Sequence, residues 1–376
     1  MDQVEHYYLV GEDVSGVVCL VPCFVYRVSL VTVASPRIQR AVQAIQRFFP
    51  NFLMLRVFVV GSAISNYGDL LGFKDVDNKH LWSDCRILSV FEEIRKKAKS
   101  LNAPGILVKE LDNHIRNRLE PIIGRLFFFA DSLPSTCLPI MSGARGGYWE
   151  SIRSKYRNKI KKRKSIGREK KLSWELSRVS DICPKKAFEL YQQVIDHSAF
   201  VFERVNERFF TRIGELFSGN AFYICGFIGD SDSRKQISCE LVLIDGDAMR
   251  LLYSGFDYEV KRDSDVYFNV FYAAIEEAEK LGLKEIHLGQ TAYEVKAELG
   301  AQRIDLSVAA CYLNPLIHWI FTRFKQIFFP KVDFPHRDVF AIPPPKPKTG
   351  NPNRVDLPNL VDAPLIADDS AIRLRS

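Results

Sequence analysis

The chain has 376 residues, 47% of them hydrophobic and 12% aromatic, and a net charge of +7. That length suits two domains, and that apolar content excludes a disordered chain. No window is long and apolar enough to span a bilayer, and the N-terminus lacks the basic and apolar regions of a signal peptide.

Tyr7 to Val10, Gly16 to Phe24 and Tyr26 to Val33 read as successive strands, because β-branched and aromatic residues dominate them. Arg37 to Phe49 has helical spacing and stops at Pro50. Phe52 to Val60 reads as a buried strand that runs into a polar Gly/Ser/Asn loop. Ser83 to Leu101 is an amphipathic helix, and Gly105 to Lys109 a short strand. Phe127 to Ala130 and Cys137 to Pro139 flank a Pro/Ser turn. A boundary is expected where Gly/Ser content rises, between residues 142 and 147.

A basic helix follows. Leu172 to Val179 reads as a strand, Cys183 to His197 as a helix, and Phe200 to Glu215 as an aromatic helix. Ala221 to Ile228 and Gln236 to Ile244 pair across a polar hairpin loop that includes Asp230 and Ser233. Then come a strand (Met249 to Ser254), a helix (Val266 to Leu281), a strand (Lys284 to Leu288) and a short helix (Ala292 to Leu299). The predicted class is α/β with mixed sheets: a first domain over 1–142, a second over 148–330, and a Pro-rich, extended, unpacked tail over 335–376. The two halves share a rough order of elements.

The eight cysteines form no CxxC pair, and Cys19 and Cys23 sit in an apolar run. They read as buried, reduced thiols of a cytoplasmic protein, with no metal site expected. The charge is uneven: eleven Lys or Arg and one acid, Glu169, lie between Arg153 and Lys171. On a helix, Ile152, Tyr156 and Ile160 make an apolar stripe. Arg153, Arg157, Lys161 and Lys164 follow the same stride beside it. Such a face suits the phosphates of a cofactor, a nucleic acid or an anionic lipid surface, or it is a solvated helix face.

The chemistry gathers at strand ends. Tyr253, Ser254, Asp257 and Tyr258 lie at the end of one strand, and Asn269 on the helix after it. Gln290, Thr291, Tyr293 and Lys296 lie just past the next strand, in GQTAYEVKAELGA. Tyr293 and Lys296 share a helix face. A tyrosine can donate a proton, and a lysine can stabilise an oxyanion or bind phosphate. Glu240, among Ile237, Cys239, Leu241 and Leu243, is a candidate base in a cleft, or else a carboxylate at a solvated face or paired with a lysine.

YSGFDYE, then a helix, then an apolar strand ending in GQTAYEVKAELGA, resembles the C-terminal half of GNAT-superfamily N-acyltransferases of the FemAB-like type. The preceding SKYRNKIKKRK run and the order VCLVPCFVYR, LRVFVVGSAIS are similar to that group as well. The resemblance runs from about residue 10 to residue 320 and implies tandem GNAT-like domains. It implies transfer of an acyl or aminoacyl group, from acyl-CoA or aminoacyl-tRNA, to an amine acceptor. Gly289, Tyr293, Lys296 and Gly300 match the family's pattern after the penultimate strand. The residues expected to carry catalysis are Tyr293, Lys296, Tyr258 and Glu240. The residues expected to contact the donor are Tyr253, Ser254, Asp257, Asn269, Gln290, Thr291, Arg153, Arg157, Lys161 and Lys164.

Three features depart from the family. The opening strand and helices expected before the first hairpin are missing or supplied otherwise, EVKRDSD stands where a Gly-rich pyrophosphate loop would lie, and no long helical hairpin is inserted. They weigh against acetyl-CoA as donor and peptidoglycan as acceptor. The competing expectation is a non-catalytic nucleic-acid binder that uses the basic helix, with peripheral membrane contact through the same patch as a third.

Overall fold

The computed structural model describes residues 5–13, 16–29, 36–49, 52, 54–62, 83–140, 147–198, 204–217, 219–230, 233–260, 265–345 and 371–375. Several sequence expectations fall wholly or partly outside these residues: the polar loop after Val60, the 142–147 boundary, the start of the 200–215 helix, part of EVKRDSD and most of the tail.

The chain opens with the hairpin β1 (Glu5–Asp13) and β2 (Gly16–Ser29), then α1 (Pro36–Gln46) and β3 (Met54–Val60). Next come α2 (Asp84–Ser100), β4 (Gly105–Leu111), α3 (Asn113–Ile123), β5 (Phe128–Asp131) and β6 (Ser135–Pro139). The second half starts with α4 (Gly147–Ser151), α5 (Ser154–Glu169), β7 (Leu172–Arg178), α6 (Pro184–His197) and α7 (Glu207–Leu216). It continues through β8 (Ala221–Ile228), β9 (Lys235–Asp245), β10 (Ala248–Phe256), α8 (Val266–Lys280), β11 (Glu285–His287) and α9 (Tyr293–Glu298). Last are β12 (Gln302–Ile304), β13 (Ser307–Tyr312), α10 (Pro315–Arg323), α11 (Lys325–Phe328) and β14 (Ala371–Arg375).

The fold is α/β, with two mixed seven-stranded sheets flanked by helices. Their orders are β14-β1-β2-β3-β4-β13-β5 and β12-β6-β11-β10-β9-β8-β7. Each sheet has one parallel pair, β3 with β4 and β10 with β11. The two sheets exchange a strand. β6 crosses into the second sheet between β12 and β11, and β13 crosses into the first between β4 and β5. Sheet membership therefore does not follow the sequence boundary, and each half completes the other's sheet.

Separate cores follow the sheet faces. Phe58, Phe91, Ile94, Leu119 and Phe127 pack α2 and α3 on the first sheet. Along β9, alternation sends Val242 toward α8 and sends Cys239 and Leu241 toward α6 and α7. Capping sets the helix starts. Ser83, Asp112 and Asn206 each accept a backbone N–H three residues on, which satisfies donors that the first turn leaves unpaired.

Some local expectations need correction. Gly16–Ser29 is a single strand, because β1 and β3 pair it continuously through Val25. Arg204 to Asn206 are not helical, and α7 starts at Glu207 behind its Asn206 cap. The tail is not unpacked at its end, where β14 pairs with β1 through backbone hydrogen bonds.

Candidate active site

β10 is where the second sheet opens. Its parallel pairing with β11 ends at Arg250↔His287, yet β10 runs on to Phe256. A register shift between Leu251 and Tyr253 marks a β-bulge against β9, which bends the strand and re-aims its side chains. On the other side, Leu288 N–H turns to the Thr136 carbonyl of β6 (3.0 Å). The two parallel strands thus part, and a cavity of about 300 Å³ opens between them.

Its walls come from four named elements and a loop: Glu240 of β9, Ser254 of β10, Tyr267 and Phe271 of α8, Lys296 of α9, and the loop Gly289–Ala292. The loop is tightly wound. Gly289, Thr291 and Ala292 all have positive φ (69°, 61° and 49°), a conformation that costs energy for the two non-glycine residues. Three contacts hold it. Lys296 Nζ donates to the carbonyls of Gly289 (3.1 Å) and Gln290 (2.7 Å). Thr136 Oγ1, on exchanged strand β6, donates to the Gly289 carbonyl (2.7 Å). Gln290 Nε2 donates to the Leu133 carbonyl (2.9 Å) in the turn before β6.

Glu240 and Lys296 are the two buried charged groups of this cavity, 3% and 4% exposed. Glu240 lies directly opposite Ser254 across the β9–β10 ladder and accepts the Ser254 hydroxyl hydrogen bond (2.5 Å). Burial raises its carboxyl to about 7, against the lowering effects of Ser254 and the Lys296 charge. Burial lowers Lys296 to about 7, with Glu240 opposing it. The two groups influence each other across the cavity without direct contact, so they titrate as a pair. With two N–H groups committed to carbonyls, Lys296 keeps one valence that carries either a proton or a lone pair.

The pair has a stability signature. Folded Glu240 keeps its proton above the pH at which the unfolded chain loses it, so its burial cost grows between about pH 4.5 and 7. Glu240→Gln removes that cost. We expect it to stabilise the fold at pH 7 relative to pH 4 by on the order of 1–3 kcal/mol, read from denaturant midpoints at the two pH values.

The other expected site residues lie elsewhere. Tyr253 packs edge-on against Tyr191 and Phe209, in the core on the α6–α7 face. Asp257 pairs with Lys235 (2.8 Å) and caps Glu259 N–H. Tyr258 stacks on His197 with ring centroids 3.9 Å apart. Asn269 donates to the Asp265 carbonyl beside Gly167 of α5. Tyr293 donates its hydroxyl to the Pro134 carbonyl (2.8 Å) and packs on Phe334, outside the cavity lining. Burial raises its phenol, and its hydrogen bond ties α9 to the turn before β6. The structure thus brings together Glu240, Ser254, Gln290, Thr291 and Lys296, and sets the tyrosines apart.

The basic helix is partly neutralised. Lys159 and Arg163 pair with Glu298, and Lys164 pairs with Glu276 while lying 3.9 Å from the Trp149 ring centroid. Arg153 and Arg157 donate to backbone carbonyls of Phe340 and of Glu150 and Ile152. Lys161 is exposed, as is Lys162 beside it. Arg163, absent from the expected set, also lies over the Phe268 ring, its Cζ 3.4 Å from the centroid.

A second polar cluster lies on the same sheet. Cys137 Sγ is 3.5 Å from Glu285 Oε2, and His287 Nε2 is 2.8 Å from Glu285 Oε1. Thiol, carboxylate and imidazole are the donor types that hold zinc, and these are the residues among those described whose ligand atoms gather in this way. Without a cation the cluster is already hydrogen-bonded. Burial and the Glu285 charge push the thiol up, and the His287 hydrogen bond holds Glu285 below its ordinary value. Cys137 and Glu285 come from strands far apart in sequence, which hid the cluster from the sequence.

No family model and no curated protein sequence matches the chain. Solved structures do. FemX matches with a TM-score of 0.50 at 10% identity, over 84% of this chain and 90% of that one. The structure of L-PGS from Bacillus licheniformis matches with a TM-score of 0.45 at 9% identity, over 74% and 86%. A tandem GNAT protein from the clavulanic acid biosynthesis pathway matches with a TM-score of 0.39 at 8% identity, over 81% and 82%. The chain therefore shares the fold of FemX, with two mixed α/β sheets flanked by helices. At these identities the likeness concerns the fold.

Proposed function

We propose that this chain is an N-acyltransferase that forms an amide, moving an acyl or aminoacyl group from a thioester or ester donor to an amine. The observation that carries the reading is the buried Glu240–Lys296 pair facing one cavity at the point where β10 and β11 separate. Aminoacyl transfer to an amine needs a base for the attacking nitrogen and an acid for the leaving group, both effective near neutral pH. A carboxyl raised and an amine lowered to about 7 meet that need in a single site.

The reacting carbonyl lies between the two groups. As the C–N bond forms, the Glu240 carboxylate takes a proton from the amine. As the C–S or C–O bond breaks, the Lys296 ammonium gives its proton to the leaving sulfur or oxygen. Glu240 is then neutral and Lys296 an amine, and transfer of one proton between them restores the starting state. Such acid–base assistance supplies roughly 10²–10⁴-fold, and the fixed geometry of the bound donor supplies more. The Ser254 hydroxyl holds the carboxyl in place, and the wound loop holds Lys296. The exposed ammonium groups of Lys161 and Lys162 on α5 are available to donor phosphates, of coenzyme A or of tRNA.

Thermal-shift and intact-mass measurements on the full chain, with a panel of acyl-CoAs and aminoacyl-tRNAs and an amine mixture, test this reading. The expected result is a rise in Tm with one donor class and an amide product of the corresponding mass. Binding of RNA that falls steeply with salt, with no product from either donor class, would instead support the non-catalytic nucleic-acid reading.

A further inference from the structure

From Pro315 to Lys331 the chain reads PLIHWIFTRFKQIFFPK, with Arg323, Lys325 and Lys331 and no acidic residue. α10 and α11 fill most of it. Their inner face is firmly seated. Phe321 and Phe329 pack on Phe128, Ala130, Val308 and Ala310 of the first sheet. His318 accepts the Tyr312 N–H and lies against Phe128, and Lys325 Nζ donates to the Phe129 carbonyl. Asn314 caps α10 by accepting the N–H groups of Leu316 and Ile317.

The outer face is just as apolar, and it is bare. Leu316 is 67% exposed, Trp319 60%, Ile320 36%, Phe324 44% and Ile327 68%. Leu316, Trp319 and Ile320 are three and four apart, so they share one face of α10, and Phe324 and Ile327 extend the exposed apolar row past its end onto α11. No residue of α10 or α11 is buried. Because the inner face has its own partners, the stripe is not a misplaced core face. Scattered surface hydrophobics need no explanation, but a contiguous row of five large side chains marks an interaction surface.

We propose that this stripe is a membrane-docking surface that lies in the plane of an anionic phospholipid bilayer. The charge pattern chooses the occupant. The charged groups that the inner face does not engage, Arg323 and Lys331, are exposed and both positive, which suits lipid phosphates. A second copy of the chain would set cation against cation. The nine residues of α10 reach only about 14 Å, too short to cross, so the helix lies at the interface. Trp319 on its outer face is of the kind favoured at the boundary between headgroups and acyl chains. This surface is separate from the basic helix α5 and stands whether or not the transfer reading does.

Flotation of the full chain with vesicles tests it, comparing pure phosphatidylcholine with a mixture holding about 30 mol% phosphatidylglycerol. The parent is expected to float with the anionic vesicles. The double variant Trp319→Glu, Ile327→Glu is expected to lose at least about tenfold in partitioning at an unchanged melting temperature, since both side chains are exposed. Four results would overturn the proposal: no flotation of the parent, equal flotation of parent and double variant, loss confined to a Lys161→Glu, Lys162→Glu variant, or a parent dimer that the double variant dissolves.

Discussion

Lys296→Met is expected to lower transfer by about 10²–10⁴-fold while leaving the chain folded. The side chain is buried and completes the loop Gly289–Ala292, and in the proposed reaction it is the proton donor to the leaving group. Methionine matches the side chain as far as Cε and lacks its amine and charge. Two effects on stability oppose each other. The Gln290 carbonyl loses this donor, at a cost of about 1–3 kcal/mol if it is left unsatisfied, while the Gly289 carbonyl keeps Thr136 Oγ1. The burial penalty that pulls the Lys296 amine down to about 7 disappears in return. Lys296→Arg separates charge from proton transfer, because a guanidinium stays charged at neutral pH. If Lys296 only neutralised charge, arginine would restore the rate. The proton-transfer account expects no recovery in arginine. Turnover of both variants on whichever donor raises Tm distinguishes the two, with circular dichroism as the check on folding.

Gly255→Ala is expected to destabilise the fold by about 3 kcal/mol, read as a lower denaturant midpoint at unchanged slope. Gly255 sits on β10 next to Ser254, where α6 crosses the strand. A Cβ there would come within 2.8 Å of both Leu190 Cβ and Tyr191 N, and within 2.9 Å of Cys239 Sγ. The Tyr191 nitrogen belongs to the helix backbone, so α6 as a whole must move away. That movement would also disturb the strand that aims the Ser254 hydroxyl at Glu240. Gly282 is the matched control. Its φ is 68°, but no atom lies within 4 Å of an added Cβ, so alanine there costs only about 1 kcal/mol of backbone strain.

What the sequence revealed depended on how local each signal was. β8, β9 and β10 are alternating runs bounded by turns, and α2 and α6 carry their apolar faces at helical spacing, so all were legible. Elements judged by non-local partners were not. α3 holds Pro121 inside a helix, which reads as a break, yet its Asp112 cap and the buried Leu119 and Ile123 hold it. β13 is built largely of small residues, and it is a strand because β4 and β5 flank it in the other half's sheet. The rough likeness of the two halves was visible, but the exchange of β6 and β13 was not.

The site divides in the same way. Gln290, Thr291 and Lys296 lie within one loop and one turn, so their proximity followed from chain spacing. Ser254 and Glu240 were both named as candidates, but their pairing depends on the β9–β10 register and its bulge. The positions of the tyrosines were not legible, because a phenol ring goes where tertiary partners draw it. Tyr293 follows the Pro134 carbonyl, Tyr258 the His197 ring, and Tyr253 the aromatic core beneath α6. The acids that pair with α5, Glu276 and Glu298, lie more than a hundred residues away, so the helix looked more strongly charged than it is.

The most direct test of the central claim is a carbon-13 NMR titration of the Glu240 carboxyl in the full chain, assigned by its loss in Glu240→Gln. The account predicts an apparent midpoint near 7, displaced upward in Lys296→Met because the neighbouring positive charge is gone. A midpoint at the ordinary 4.5 of a solvated glutamate, unmoved by Lys296→Met, would contradict it.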